Sequence, residues 1–207
     1  MIFINLLRTI LLVLVAISVP AMADEKKIVM LGDSLTAGYG LPAPWALPVK
    51  LTEYLQNASQ DVVIVNQGIS GDTSGGGTAR INDALAAKPD GLILALGAND
   101  ALRGLPPTLM QENLSMIIEA HLAENIPVFL VGARAPSNWG PSYGDEFDQV
   151  FADLAQQHDL PFYPFLLEGV ALDPKLNQDD MLHPNEQGVA EIVSRLGPQI
   201  LAFAQTL

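Results

Sequence analysis

The chain contains no cysteine, which removes disulfide frameworks and thiolate chemistry at once. Positive charge is also scarce: ten Lys and Arg stand against 23 Asp and Glu, a net charge of −13. Such a body repels phosphate backbones and anionic headgroups, so nucleic acid is excluded as a partner and tight membrane adsorption is disfavoured. No apolar run reaches the ~20 residues that a spanning helix needs. No repeat, linker or low-complexity tract interrupts the chain. Gly-x-Ser-x-Gly, the nucleophile elbow of one large hydrolase class, is missing as well.

What is present suits one compact domain, because 207 residues of which 49% are apolar can bury a sizeable core. The first residues carry a basic Arg8, an apolar run over Thr9–Ser18 and small residues at Ala21 and Ala23. That order predicts a cleavable signal peptide over 1–23, cut after Ala23, with a single domain over 24–207 and a periplasmic or secreted location. Loss of Arg8 with the leader takes the net charge to −14.

Beyond the leader, near-continuous apolar runs alternate with segments of helical spacing. Strands are expected at 27–31, 62–65, 91–96, 126–131 and 161–163. Helices are expected at roughly 44–57, 76–87, 108–124, 144–158 and from 185 to the end; in the third, Leu109, Met110, Leu114, Ile117, Ile118 and Leu122 form one buried stripe. This βα alternation predicts a three-layer αβα fold around a five-stranded parallel sheet. Loops leaving the strand C-termini then gather at one edge, where open α/β sheets bind ligands. The first three of those loops are the ones rich in Gly, Ser, Asp and Asn.

Gly32-Asp33-Ser34-Leu35 follows the first strand and presents a hydroxyl at that edge; a capping or turn serine would look the same. Asp180-Met181-Leu182-His183-Pro184 precedes the last helix. Two intervening residues let the carboxylate reach its imidazole within one turn, fixing the tautomer that a base needs. A solvated acidic loop, or a metal site of Asp179, Asp180 and His183, is the competing reading. Gly71 offers an unobstructed N–H and Asn99 an amide, the donor types that hold a developing oxyanion, although both residues also suit ordinary turns.

Together these blocks resemble the SGNH (GDSL-like) hydrolases: Gly32-Asp33-Ser34, Gly71, Gly97-Ala98-Asn99-Asp100 and Asp180-x-x-His183-Pro184, in that order. Leu31 to Tyr39, Ile69 to Ser74 and Gln178 to Asn185 are similar to a bacterial periplasmic thioesterase, lysophospholipase and arylesterase group within it. The resemblance implies a flavodoxin-like five-stranded fold, no cofactor and no metal. It implies Ser34 as nucleophile, His183 as base and Asp180 as its orienter, with an oxyanion hole of Ser34, Gly71 and Asn99. Small esters or thioesters are the implied substrates and a monomer the expected state, with no stable membrane insertion after leader removal. Asp33, Leu35, Asp100, Arg103, Ala135 and Pro136 are expected to contact substrate. Ala135 departs from relatives, which often carry a larger aliphatic residue there.

Other features receive quieter readings. His121 and His158 lack a suitably spaced Asp at the edge and are expected to be structural. Gly75-Gly-Gly77 could cradle a phosphate, which would suit a flavin or nucleotide binder, but no ribose-binding acid or Walker lysine accompanies it. The segment 100–107 suits a hinged lid, and Tyr39, Trp45, Leu105, Trp139 and Tyr143 are possible lining for an acyl or aryl pocket. A branch acting as acetylesterase on cell-envelope polysaccharide is the alternative within the family.

Overall fold

The computed structural model describes residues 25–207; the expected leader over 1–23 and its cleavage point lie outside the described residues. Five strands form one parallel sheet: β1 (Lys26–Gly32), β2 (Val62–Gly68), β3 (Gly91–Ala95), β4 (Val128–Val131) and β5 (Phe162–Tyr163), in the order β2-β1-β3-β4-β5. All four pairings are parallel, as the βα alternation predicts. β1 is an interior strand, apolar along most of its length because both of its faces are covered. Ile28 and Met30 point into one layer, Val29 and Leu31 into the other, and all four are fully buried.

Among the described residues there are also eight α-helices: α1 (Ser34–Ala37), α2 (Leu47–Asn57), α3 (Ser74–Ala79), α4 (Ile81–Ala86), α5 (Ala98–Leu102), α6 (Pro107–Ala123), α7 (Pro141–His158) and α8 (Glu186–Ala204). On one face α2 and α8 bury Leu47, Leu51, Leu55, Val189, Ile192, Leu196 and Ile200 against the sheet. On the other, α6 and α7 bury Met110, Leu114, Ile117, Ile118, Phe147, Phe151 and Leu154. Each such side chain contributes about 1.5–3 kcal/mol of burial. His121 is one of the fully buried polar side chains here, its Nδ1 2.8 Å from the Ile117 carbonyl of its own helix, and His158 sits 4.0 Å from Glu119.

The expected 76–87 helix is in fact two short helices that start at Ser74 and break at Arg80. The cause is tertiary: the Arg80 guanidinium donates to the Gln67 carbonyl (2.9 Å), the Gly32 carbonyl (3.3 Å) and the Asp72 carboxylate. Gly75 to Gly77 lie inside α3, capped by Thr73, so they form a helix rather than a phosphate-cradling turn. Gly77 is packed on Leu96 and Ile117.

Candidate active site

β1, β2 and β3 end level with one another, since Gly32 pairs with Gly68 on one side and with Ala95 on the other. The chain leaves β1 between neighbours that continue in opposite directions, the switch point at which α/β sheets open a crevice. Gly32 has no alternative there: a Cβ would overlap the Thr36 side chain and meet the Ala95 carbonyl at 3.0 Å. Gly68 likewise lies against the Ala37 backbone. This close approach seats α1 on the sheet edge and brings Ser34, its first residue, to the crevice floor.

His183 Nε2 stands 2.9 Å from Ser34 Oγ, across 149 positions of sequence, and His183 Nδ1 stands 2.7 Å from Asp180 Oδ2. Asp180 is held by the turn it starts. Its Oδ1 accepts the N–H groups of Leu182 (2.9 Å) and His183 (3.0 Å), leaving Oδ2 for the ring. Met181 makes this possible by taking φ 59°, the left-handed region that a bulky residue adopts only when its surroundings impose it. Hydrogen bonds from the His183 backbone and ring hold the Asp180 carboxyl down at about 2. Gln178 ties this loop to the one after β1: its amide donates to the Tyr39 carbonyl (2.8 Å) and the Pro184 carbonyl (3.0 Å). The Tyr39 ring lies 4.6 Å from the His183 ring. Asn185 then caps α8 by accepting from Gln187 and Gly188.

Three donors face the same crevice. Among the described residues the N–H groups of Ser34 and Gly71 have no acceptor, and Gly71 reaches its position through φ 82°. Asn99, in α5, directs Nδ2 to Asp33 Oδ2 at 3.3 Å and keeps its other amide hydrogen. Asp33 Oδ1 accepts the Leu35 N–H at 3.0 Å, so this buried carboxylate orients both the turn that carries Ser34 and Asn99. Burial pushes its pKa up to about 6, opposed by the Leu35 hydrogen bond and the nearby His183.

The crevice opens into a cleft of about 710 Å³ that Ser34, Asn99 and His183 share with Leu35, Ala135 and Pro136. Asp33 also reaches the cleft wall. Two of the residues expected to meet substrate do not border it. Asp100 is buried and fully engaged, accepting from Ser74 N (2.8 Å) and Ser74 Oγ (2.6 Å). Asn113 completes that cluster. Arg103 instead donates to the Gly71 carbonyl at 2.7 Å, bracing one donor loop against the next. Nor is 100–107 a free lid, because Trp139 Nε1 donates to the Ala101 carbonyl (2.7 Å) and Tyr143 Oη to the Leu105 carbonyl (2.8 Å). Of the five side chains considered for pocket lining, Tyr39 alone borders the cleft; Trp45 lies beneath the Lys50 ammonium instead. Arg134, Phe165, Leu167, Leu172 and Leu182 line the cleft without having been expected there; no local pattern marks them, because they meet only through the fold. Among the described residues no three His, Asp or Glu side chains group as a metal site.

The sequence profile of the GDSL-like lipase/acylhydrolase family matches residues 30–190. An arylesterase of Vibrio mimicus is 37% identical over 194 residues, 92% of this chain and 97% of that protein. The thioesterase 1/protease 1/lysophospholipase L1 of Escherichia coli K12 is 36% identical over 181 residues, 87% of this chain and 85% of that protein. A crystal structure of TesA superposes with a TM-score of 0.81 at 35% identity, covering 84% of this chain and 98% of the other.

Proposed function

Because the chain belongs to the GDSL-like lipase/acylhydrolase family, we propose that it is a serine hydrolase of carboxylic esters and thioesters, of the arylesterase, thioesterase or lysophospholipase kind, acting through an acyl-enzyme on Ser34. The observation that carries this reading is the unbroken path from Ser34 Oγ through the His183 ring to Asp180, at 2.9 and 2.7 Å. Ser34 Oγ attacks the acyl carbon while its proton passes to His183 Nε2, and Asp180 holds the Nδ1 proton and steadies the imidazolium. The carbonyl oxygen, now negative, takes hydrogen bonds from the N–H groups of Ser34 and Gly71 and from the Asn99 amide. His183 returns the proton to the leaving alcohol or thiol as its bond to the acyl carbon breaks. A water molecule then repeats the sequence, releasing the carboxylic acid and restoring the serine.

The lining supports acyl or aryl groups over sugars, since Leu35, Ala135, Pro136, Leu167, Leu172 and Leu182 form an apolar cleft rather than a flat aromatic platform. Leader removal after Ala23 and action outside the cytoplasm are parts of the same proposal, supported by the pattern of residues 1–23, and so is a monomeric state. No helix among the described residues is long and apolar enough to cross a membrane.

A panel of p-nitrophenyl esters and acyl thioesters of rising chain length, run on the protein and on Ser34→Ala, tests the assignment. Turnover in the variant is expected to fall by at least about 10³-fold, together with covalent labelling by an organophosphonate. Undiminished hydrolysis by Ser34→Ala would remove Ser34 as nucleophile.

A further inference from the structure

Four arginines lie among the described residues, and three of them are engaged. Arg80 holds Asp72 and two carbonyls, Arg103 holds the Gly71 carbonyl, and Arg195 holds Glu191 at 2.6 Å. Arg134 is different. It stands just past the end of β4, on the wall of the catalytic cleft, and none of its N–H groups has a hydrogen-bond or ion-pair partner among the described residues. Its guanidinium carbon sits 4.9 Å above the centre of the Phe165 ring, another cleft residue. Asp148 feels its charge but lies beyond ion-pair range and so does not neutralise it. No lysine borders the cleft, so among the described residues Arg134 is the one permanently cationic side chain that lines it, in a chain of net charge −13.

Stacking on an aromatic face fixes a guanidinium plane while leaving its N–H edge free. That edge matches two oxygens of an anion at once, a fit that an ammonium cannot give. An apolar cleft carrying one unpaired, pre-oriented guanidinium is complementary to an amphiphile with a single anionic group. In an ester or thioester the acyl carboxylate is already consumed by the scissile bond, so the anion belongs to the leaving group. We propose that Arg134 is a specificity-determining residue that binds a phosphate oxygen on the alcohol or thiol portion of the substrate. This rests on the hydrolase reading given above. Two sources offer that phosphate: the phosphodiester of a lysophospholipid and the phosphorylated carrier arm of an acyl thioester.

Matched substrates separate them. Decanoyl lysophosphatidylcholine is compared with monodecanoylglycerol, and decanoyl coenzyme A with the decanoyl thioester of N-acetylcysteamine, on the full chain, on Arg134→Gln and on Arg134→Lys. The readout is the ratio of kcat/KM for the phosphate-bearing substrate to that of its neutral counterpart, in which any loss of folded protein cancels. In Arg134→Gln this ratio is expected to fall about tenfold or more, mainly through KM, with Arg134→Lys between the two. A fall in the first pair alone assigns the lipid phosphodiester, and a fall in the second alone the carrier arm. Ratios unchanged in both pairs would overturn the proposal, as would a larger loss on the neutral members. An unaltered chain that hydrolyses none of the four, nor p-nitrophenyl decanoate, would instead refute the hydrolase assignment.

Discussion

Asp33 shows how one residue can shape a site without touching the reacting atoms. Its carboxylate is buried, yet it holds the Leu35 N–H and the Asn99 amide. Because burial raises its folded pKa to about 6 from 3.8, the native state keeps the proton over a range in which the unfolded chain has lost it. Its favourable contribution is therefore complete below pH 3.8 and declines as pH rises to about 6, by roughly 3 kcal/mol in all. Asp33→Asn lacks this titration. Relative to the parent, the variant is expected to gain stability between pH 4 and pH 6.5, while losing turnover because an amide nitrogen then competes at Asn99. Urea melts at the two pH values check this; a constant difference between the proteins would show that Asp33 does not titrate in this range. The sequence makes Ser34, Asp180 and His183 stand out because each pair of block residues is local or borne on a strand end. Asp100, in the Gly97–Asp100 block, is misread for a physical reason: its partner Ser74 lies 26 residues away, so its burial cannot be seen in its neighbours.

Elements, by contrast, were legible wherever packing on both sides forces continuous apolar composition. β1 to β5 fall close to the expected runs, and α6 follows its apolar stripe except at Leu109, which is exposed. The exceptions arise where a distant side chain overrides local propensity. Arg80 breaks one expected helix in two to reach the turn beneath Ser34. The turn after α5 looks like a hinge, with Gly104 at φ 62° and two prolines, but the Trp139 ring fills the space beside that glycine and two aromatic side chains grip its carbonyls. Trp139→Ala removes one of these grips and the packing on Gly104. Amide exchange at Gly104 and Leu105 is expected to accelerate about tenfold, the effect of one lost hydrogen bond, with little change across α8. Equal exchange in the two proteins would mean that the segment is held without Trp139.

At the scale of the whole molecule, two apolar layers enclose one sheet, and the surplus of negative charge lies around them. Like charges on a compact body repel, and salt screens them over about 10 Å at 0.1 M. The thermal midpoint is accordingly expected to rise by a few degrees between 0.02 and 0.3 M sodium chloride, as followed by circular dichroism; a fall would show that attractive surface pairs dominate. Gln178 and the Asp180–His183 turn, which follow β5, close the site onto a serine that directly follows β1. During synthesis, then, Ser34 emerges ahead of four of the five strands and His183 only after all of them. A nascent polypeptide halted on the ribosome before position 183 has the residues of every strand yet lacks the imidazole proposed as the base, so a truncated product is expected not to hydrolyse esters in the cell that makes it.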